Sequence, residues 1–289
     1  MDRGFFSNIE LRTPRGRIYY SVAVIFLLVV AAVTLFPFLF AFTSGLKDST
    51  EIFSSGLNLF PKIPRWENYS AAWTRFDMAR LFGNSLMIVG VGVFFRLSVS
   101  AAAAFSLSKL KPAGGRIIIV GFLLTLMIPP IAYFVPLFLT ISKLPVIHKS
   151  LLNSYWGLWF PYCVDAFSIF VLKTFFDRIP RDLIDSARVD GANPFQMLTR
   201  IILPLSRSIL IVLAVLAFVG LWKDFLLPYL VITDPYRQPI TVRLYYIADD
   251  YSVNLQMAAS FIALLPPLII AIVLQRHMKI GLTLGGVKG

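Results

Sequence analysis

Residues 18–46 read IYYSVAVIFLLVVAAVTLFPFLFAFTSGL, 29 consecutive positions without one Asp, Glu, Lys or Arg. Crossing roughly 30 Å of hydrocarbon as a helix takes about 20 apolar residues, so this stretch alone marks a membrane protein. It is longer than the roughly 7–15-residue core of a secretory leader, and Phe36-Pro37-Phe38 is not a small-residue cleavage site, so it is expected to remain as an anchor. Working outward, residues 117–142 and 251–275 are also free of charge. Residues 81–108 carry only Arg96, 150–172 only Asp165, and 206–231, past Arg207 at its edge, only the adjacent Lys223 and Asp224. The expected fold is all-α, a polytopic domain of six transmembrane helices. Five helices, with 206–231 lying at the surface, is the alternative; the unbroken apolar run Ile209–Leu221 argues against it.

The composition agrees. Of 289 residues, 57% are hydrophobic and 15% charged, against about a quarter charged in a soluble globular protein, and the mean hydropathy is +0.76. A cytosolic enzyme, a disordered regulator and a small disulfide scaffold are excluded. The single cysteine, Cys163, excludes a disulfide within the chain, and two distant histidines, His148 and His277, give no basis for a metal site.

Lys and Arg number 27 against 15 Asp and Glu, a net charge of +12. With the N-terminus inside, 16 of the 27 fall on the cytoplasmic side, nine on the opposite side, and Arg96 and Lys223 within spans. The positive-inside rule then places both termini in the cytoplasm. The expected organisation is a cytoplasmic tail at 1–17, a six-helix domain at 18–280 and a cytoplasmic tail at 281–289. Extracytoplasmic loops fall at 44–80, 144–150 and 232–252. The excess base faces anionic inner-leaflet lipid, and no basic patch interleaved with aromatics remains to suggest nucleic acid.

One cytoplasmic loop, 176–205, has dense local signals. Pro180 reads as a first-turn proline. Leu183, Ile184 and Ala187 share a face opposite the charges. Gly191 is placed to end that helix in a left-handed cap. Asn193 caps a second helix with Pro194 at its first position. Phe195, Leu198, Ile201 and Ile202 form a second stripe, and Pro204 marks a break before the next membrane helix. Such a helix–glycine–helix unit can lie in a groove of another protein; it equally reads as an amphipathic loop resting on lipid.

Asp185-Ser186-Ala187, Asp190-Gly191-Ala192 and Pro204, thirteen residues after Gly191, together resemble the "EAA" loop of permease subunits of binding-protein-dependent ABC importers. The family pattern is Glu-Ala-Ala, three residues, Gly, then Leu-Pro; Asp185 and Ser186 depart from it while keeping charge and smallness. Ile63-Pro64-Arg65-Trp66-Glu67-Asn68-Tyr69 resembles that family's first periplasmic segment, and Asn153-Ser154-Tyr155-Trp156-Gly157-Leu158 the start of its fourth helix. Trp222-Lys223-Asp224-Phe225 resembles its Trp-Asn-(Asp/Glu)-Phe, with Lys223 a departure. The tail Gly281–Gly289 is similar to the ending of the carbohydrate-uptake branch, in particular the second, shorter permease of the maltose-type transporter.

That resemblance implies a type I importer permease in the bacterial inner membrane, forming half of a path for a sugar or oligosaccharide. It implies a second, longer permease as partner, two ATPase subunits and an extracytoplasmic solute-binding protein. The coupling helix, 181–191, would sit in a cleft of one ATPase through Asp185, Ser186, Ala187, Asp190, Gly191, Ala192 and Pro204, with Asp185 facing a basic residue there. Asp234, Arg237, Asp249, Asp250 and Tyr251 would reach the binding protein. No cofactor is expected on this chain: no Gly-x-x-x-x-Gly-Lys-Ser/Thr is present, so ATP and Mg belong to the partner ATPase, and the chain is not itself an enzyme.

The charges Arg96, Asp165, Lys223 and Asp224 are costly inside a bilayer, about 2.5–3.5 kcal/mol each at a helix centre. A mutual Arg96–Asp165 pair is one way to satisfy two of them. A structural or inter-subunit role is favoured over substrate contact. Tyr133, Trp156, Trp159, Tyr162, Asn153 and Asn84 have the chemistry for a sugar path, but no substrate residue is assigned. Ala101–Ala104 would let helices approach closely. Pro129-Pro130, Pro136 and Pro266-Pro267 free carbonyls near Thr125, Leu126, Ile262 and Ala263, as hinges or as packing kinks. The rival functions are a self-sufficient secondary transporter or channel, which would show inverted repeats and acidic relays, and a membrane enzyme, which would need a polar constellation.

Overall fold

The computed structural model describes residues 13–53, 58–145 and 148–283, with side chains as far as Leu274. Arg3, Arg12 and the end of the C-terminal motif, 284–289, lie outside the described residues, as do the side chains of Arg276 and Lys279. The described residues are helical, with no strand among them. The chain forms two compact units, one of residues up to Arg75 with Asp249–Ile262, the other of Phe76–Ala248 with the chain from Ala263.

In the first unit, α1 (Pro14–Gly45) starts at Thr13, whose hydroxyl accepts from Gly16 N at 3.1 Å with Pro14 in the first turn. Pro37 sits inside it without ending it. None of its most apolar window is buried, as a lipid-facing helix requires. Its last carbonyls lack helical donors and are met by the following segment. Arg65 N donates to Leu46 O at 2.8 Å, Asn68 Nδ2 to Gly45 O and Lys47 O, both 2.9 Å, and Tyr69 Oη to Phe42 O at 2.8 Å. Phe42, Trp66, Tyr69 and Phe261 form an aromatic cluster around this latch. Burial pushes the Tyr69 hydroxyl pKa up. Between them, α2 (Ser49–Ile52) is capped by Asp48 and α3 (Glu67–Arg75) carries Asn68 and Tyr69. Asp48 accepts from Thr50 N and Thr50 Oγ1 and pairs with Arg65 at 2.9 Å, which holds its carboxyl below the usual range.

The second unit is organised on α4 (Met78–Phe105), prolonged by a wide π-wound turn, Ser106–Leu110. α7 (Trp156–Cys163), α8 (Ala166–Asp177) and α12 (Arg207–Trp222) pack on it. Ala101 and Ala104 are buried in one cluster with Leu172 and Phe176: small side chains allow the close approach expected of them. α5 (Gly115–Thr125) and α6 (Pro130–Ser142) lie between. α9 (Asp182–Val189), α10 (Pro194–Met197), the π-wound Leu198–Ile202 and α11 (Leu203–Leu205) make the long loop. α13 (Leu226–Val231) and α14 (Ile240–Tyr246) follow α12, and α15 (Val253–Thr283) ends the described chain, its first part belonging to the other unit.

Three helices are each long and apolar enough to cross a membrane, Pro14–Gly45, Met78–Leu110 and Val253–Leu274. Three bent pairs make up to six if each is one span: α5 with α6 at 104°, α7 with α8 at 41°, and Pro194–Leu205, the end of the 176–205 loop, with α12 at 84°. The prolines divide by circumstance. At Pro129-Pro130 the backbone turns extended (Pro129 φ −62°, ψ 133°) and Pro130 opens a new helix. Pro266-Pro267 lies inside an unbroken α15. There the Trp222 indole N–H donates to Ala263 O at 3.1 Å, the carbonyl that Pro267, lacking an N–H, cannot serve.

Asn153 and Asn84 fasten the connection between α13 and α14. Asn153 Oδ1 accepts from Thr233 N at 2.7 Å and Asp234 N at 2.8 Å, and its backbone O accepts from Arg237 Nη1 at 2.7 Å. Asn84 Nδ2 donates to Tyr236 O at 2.9 Å and Gln238 O at 3.0 Å. Both side chains are thus engaged with this loop rather than free for a sugar.

Gly157 sits where these elements meet. A Cβ there would lie 2.7 Å from Leu151 O and 2.8 Å from Val231 Cγ1. Gly157→Ala is expected to destabilise the chain by about 1–3 kcal/mol, read as a lower midpoint of thermal unfolding in detergent.

Candidate functional site

The 176–205 loop is fused to the bundle. Ile184 and Ala187 are 3% and 7% exposed and belong to one cluster with Ala104 and Phe105 of α4, Leu172 and Phe176 of α8, Met197, Ile202 and Leu213. Only the i, i+3 pair of the expected stripe is inward; Leu183 is 44% exposed. The helix starts at Asp182, with Arg181 as cap, so Pro180 precedes the cap instead of opening the first turn. Gly191 has φ +79°. Ala192 N donates to Ala187 O at 2.9 Å and Gly191 N to Arg188 O at 3.0 Å, the paired bonds of a Schellman ending. Asn193 and Gln196 form a reciprocal capping box with Pro194 at the first turn, as the sequence predicts.

Pro204 cannot donate to the carbonyl four residues back, and the helix widens before it: Leu203 N bonds Leu198 O, five residues away. The 84° bend follows at Ser206. Ser186 Oγ donates to Asp182 O at 2.8 Å, and Asp190 is the C-terminal cap residue. Asp185 pairs with Arg188 at 3.3 Å while remaining largely exposed. Val189 and Phe195 are 88% and 72% exposed, so apolar and charged groups share the outward face. The base is pinned by groups the sequence reading did not single out. Ser108 Oγ donates to Asp177 Oδ1 at 2.7 Å, Lys173 pairs with Asp177 Oδ2 at 2.6 Å, and Lys109 Nζ donates to Ile179 O at 2.7 Å.

The four intramembrane charges converge. A cavity of about 640 Å³ is lined by Arg96, Asp165, Lys223 and Asp224 together with Tyr133 and Tyr162. Arg96 and Asp165 do not pair there. Arg96 Nε donates to Tyr162 O at 3.1 Å, a carbonyl in the last turn of α7. Asp165 caps α8, accepting from Ser168 N at 2.9 Å and from Ser168 Oγ. The two charges thus stitch opposite ends of the 41° break: a cation at a helix C-terminus, a carboxylate at an N-terminus. The spacing Asp165 to Ser168 was the signal for the cap. Tyr162 Oη donates to Asp224 Oδ2 at 2.5 Å. The side chain of Lys223 has no hydrogen-bond or ion-pair partner among the described residues and points to an exposed position at the cavity wall. Two cations and two carboxylates leave no net charge, beside aromatic rings and hydroxyls. Trp156 and Trp159 lie elsewhere, in a cluster with Phe95 and Phe160.

The residues expected at a binding protein divide between the units. Asp234 and Arg237, in the second, are linked at 3.6 Å. Asp249 and Asp250 form a single turn, and Tyr251 Oη donates to Arg75 O at 3.3 Å, in the first. Among the described residues no group of three or more His, Cys, Asp or Glu is placed to hold a metal ion.

Residues 96–280 match the family described as the binding-protein-dependent transport system inner membrane component. The chain is 30% identical to the arabinooligosaccharides transport system permease protein AraQ of Bacillus subtilis, covering 96% of this chain and 99% of that one. It is 28% identical to Protein LplC of the same organism, over 96% and 97%. Among solved structures, a chain of a bacterial ABC transporter involved in the import of the acidic polysaccharide alginate superposes with a TM-score of 0.80. That likeness, at 21% identity, covers 94% of this chain and 99% of that chain, and it shows a shared fold.

Arg96 and Asp165 serve different partners and make no ion pair with each other. Arg96→Ala and Asp165→Ala should each cost about 1 kcal/mol in detergent unfolding. A charge swap should not rescue either single variant.

Proposed function

This chain belongs to the family of binding-protein-dependent transport system inner membrane components, and we propose that it forms half of the translocation path of an ABC importer for a sugar or oligosaccharide. The observation that carries the reading is the helix–glycine–helix unit: buried on one side in the chain's own core, exposed on the other through Leu183, Asp185, Val189 and Phe195. Similarity over nearly the whole chain to an arabinooligosaccharide permease supports the substrate class.

In this reading α9 lies in a cleft of one of two cytosolic ATPase subunits, which hold ATP and Mg. Closing of the ATPases moves α9, and α9 carries α4, α8 and α12 with it because they share one packed cluster. Access to the cavity at Arg96, Asp165, Lys223 and Asp224 then alternates between the two sides. The cavity's hydroxyls, aromatic rings and balanced charges suit a neutral polyhydroxylated solute, with Tyr133 and Tyr162 on its path. A second, longer permease supplies the other half, and both termini lie in the cytoplasm, as the distribution of Lys and Arg supports. Asp234, Arg237, Asp249, Asp250 and Tyr251 meet the extracytoplasmic solute-binding protein. Asp185 exchanges its exposed Arg188 partner for a basic group of the ATPase, where a charge-assisted bond is worth about 1.5–3 kcal/mol.

Gly191 separates folding from docking. A Cβ there would touch nothing within 4 Å, but φ is +79°. Gly191→Val, which resists that conformation, should abolish uptake and release the ATPase from membranes; Gly191→Asn, which tolerates it, should keep most of both. Sugar uptake together with ATPase retention on washed membranes checks this. Full uptake and retention in Gly191→Val would refute the docking role.

A further inference from the structure

A second cavity, about 470 Å³, opens between the end of α4, the start of α5 and the end of α8. Five cations line it, Lys109, Lys111, Arg116, Lys173 and Arg181, against one carboxylate, Asp177. That carboxylate is already engaged at both oxygens by Ser108 and Lys173, and Lys109 is held by Ile179 O. The side chains of Lys111, Arg116 and Arg181 have no hydrogen-bond or ion-pair partner among the described residues. Five cations against one carboxylate leave a net positive charge that repels itself, and Asp185 is the one further carboxylate, in the adjoining cavity with Lys109, Lys111 and Arg181.

The wall of the cleft changes character on one side. Leu107, Ile119 and Lys173 also border an apolar patch with Phe122, Leu123 and Phe170 that holds only a shallow recess of about 10 Å³. Leu123 and Phe170 are exposed on helices that pass through the bilayer. A basic pocket beside an exposed apolar surface at the end of a span matches the two-part chemistry of a phospholipid: phosphate above, acyl chain below. We propose that this cleft binds the phosphate headgroup of an anionic phospholipid, with Lys111, Arg116 and Arg181 as ligands and its acyl chains lying over the exposed Leu123 and Phe170. Free phosphate would satisfy the cations but leave that apolar surface unused. Arg181 holds the N-cap position of α9 without a side-chain cap bond, so the lipid would sit beside the base of the coupling helix. The site goes beyond the transport reading and does not depend on which solute is carried.

The test uses the full chain, purified in detergent with the membrane partners it retains, delipidated, and back-titrated with phosphatidylglycerol, phosphatidylcholine or inorganic phosphate under native mass spectrometry. The wild type should retain phosphatidylglycerol over phosphatidylcholine by about tenfold. The triple variant Lys111→Gln, Arg116→Gln, Arg181→Gln should lose that preference. A control triple elsewhere, Lys143→Gln, Lys149→Gln, Arg243→Gln, removes the same charge and should keep it. Unfolding midpoints of both triples establish that each is folded. An unchanged preference in the first triple, or equal loss in both, overturns the site. Displacement of phosphatidylglycerol by equimolar inorganic phosphate overturns the lipid as its source. Loss of a retained protein partner with lipid preference intact assigns the cleft to an acidic protein surface and overturns the proposal.

Discussion

An eight-residue helix is marginal in water on propensity alone, and α9 holds because Ile184 and Ala187 sink into a cluster shared with α4, α8 and α12. Burying an isoleucine side chain is worth about 1.5–3 kcal/mol. The Schellman ending at Gly191 and the capping box at Asn193 meet the backbone groups that so short a helix leaves open. Below it, Asp177 ties Ser108 to Lys173, and Lys109 holds Ile179 O. The consequence is mechanical. Whatever grips the outward face of α9 grips the membrane helices too, because no hinge lies between that face and the core it packs on.

The same economy of polar groups governs the membrane interior. Helices that span lipid must satisfy every backbone group internally, and this chain has three helix pairs bent by 41° or more. At the 41° break, Arg96 and Asp165 cover the exposed ends of α7 and α8. At Pro266-Pro267, Trp222 covers the freed carbonyl. Arg96, Asp165 and Pro130 line the 640 Å³ cavity with Tyr133 and Tyr162, so the groups at two of the breaks also furnish a polar, hydroxyl-bearing surface in the membrane.

Much of this was legible in residues alone. Each of the six apolar windows corresponds to a long helix or a bent pair, and Gly191, Asn193-Pro194 and Pro204 announce the loop's turns by backbone chemistry that depends only on neighbours in sequence. The segment Arg65–Tyr69, singled out by resemblance, proves to be the latch on the end of α1. What could not be read depends on partners distant in sequence. Pro129-Pro130 breaks its span and Pro266-Pro267 does not, a contrast bound up with where Trp222 falls. Arg96 and Asp165 look like a pair at similar depth, yet each serves a helix end. Asn153 and Asn84 have sugar-binding chemistry and are used to hold a loop. Leu183 lies about 40° around the helix from Ala187, nearer than Ile184 at about 60°, yet it is exposed while Ile184 is buried; which side faces inward is set by where the cluster of α4, α8 and α12 lies, not by spacing.

The central claim is that α9 moves as one body with the helices it packs on. With Cys163 replaced by Ser, spin labels at Asp182→Cys on α9 and Leu216→Cys on α12, both exposed positions, report their separation by pulsed electron resonance in the assembled importer. The account predicts one narrow distance distribution, unchanged between nucleotide-free and ATP-trapped states, while labels across the cavity mouth change theirs. An Asp182–Leu216 distance that shifts or broadens with nucleotide would contradict it.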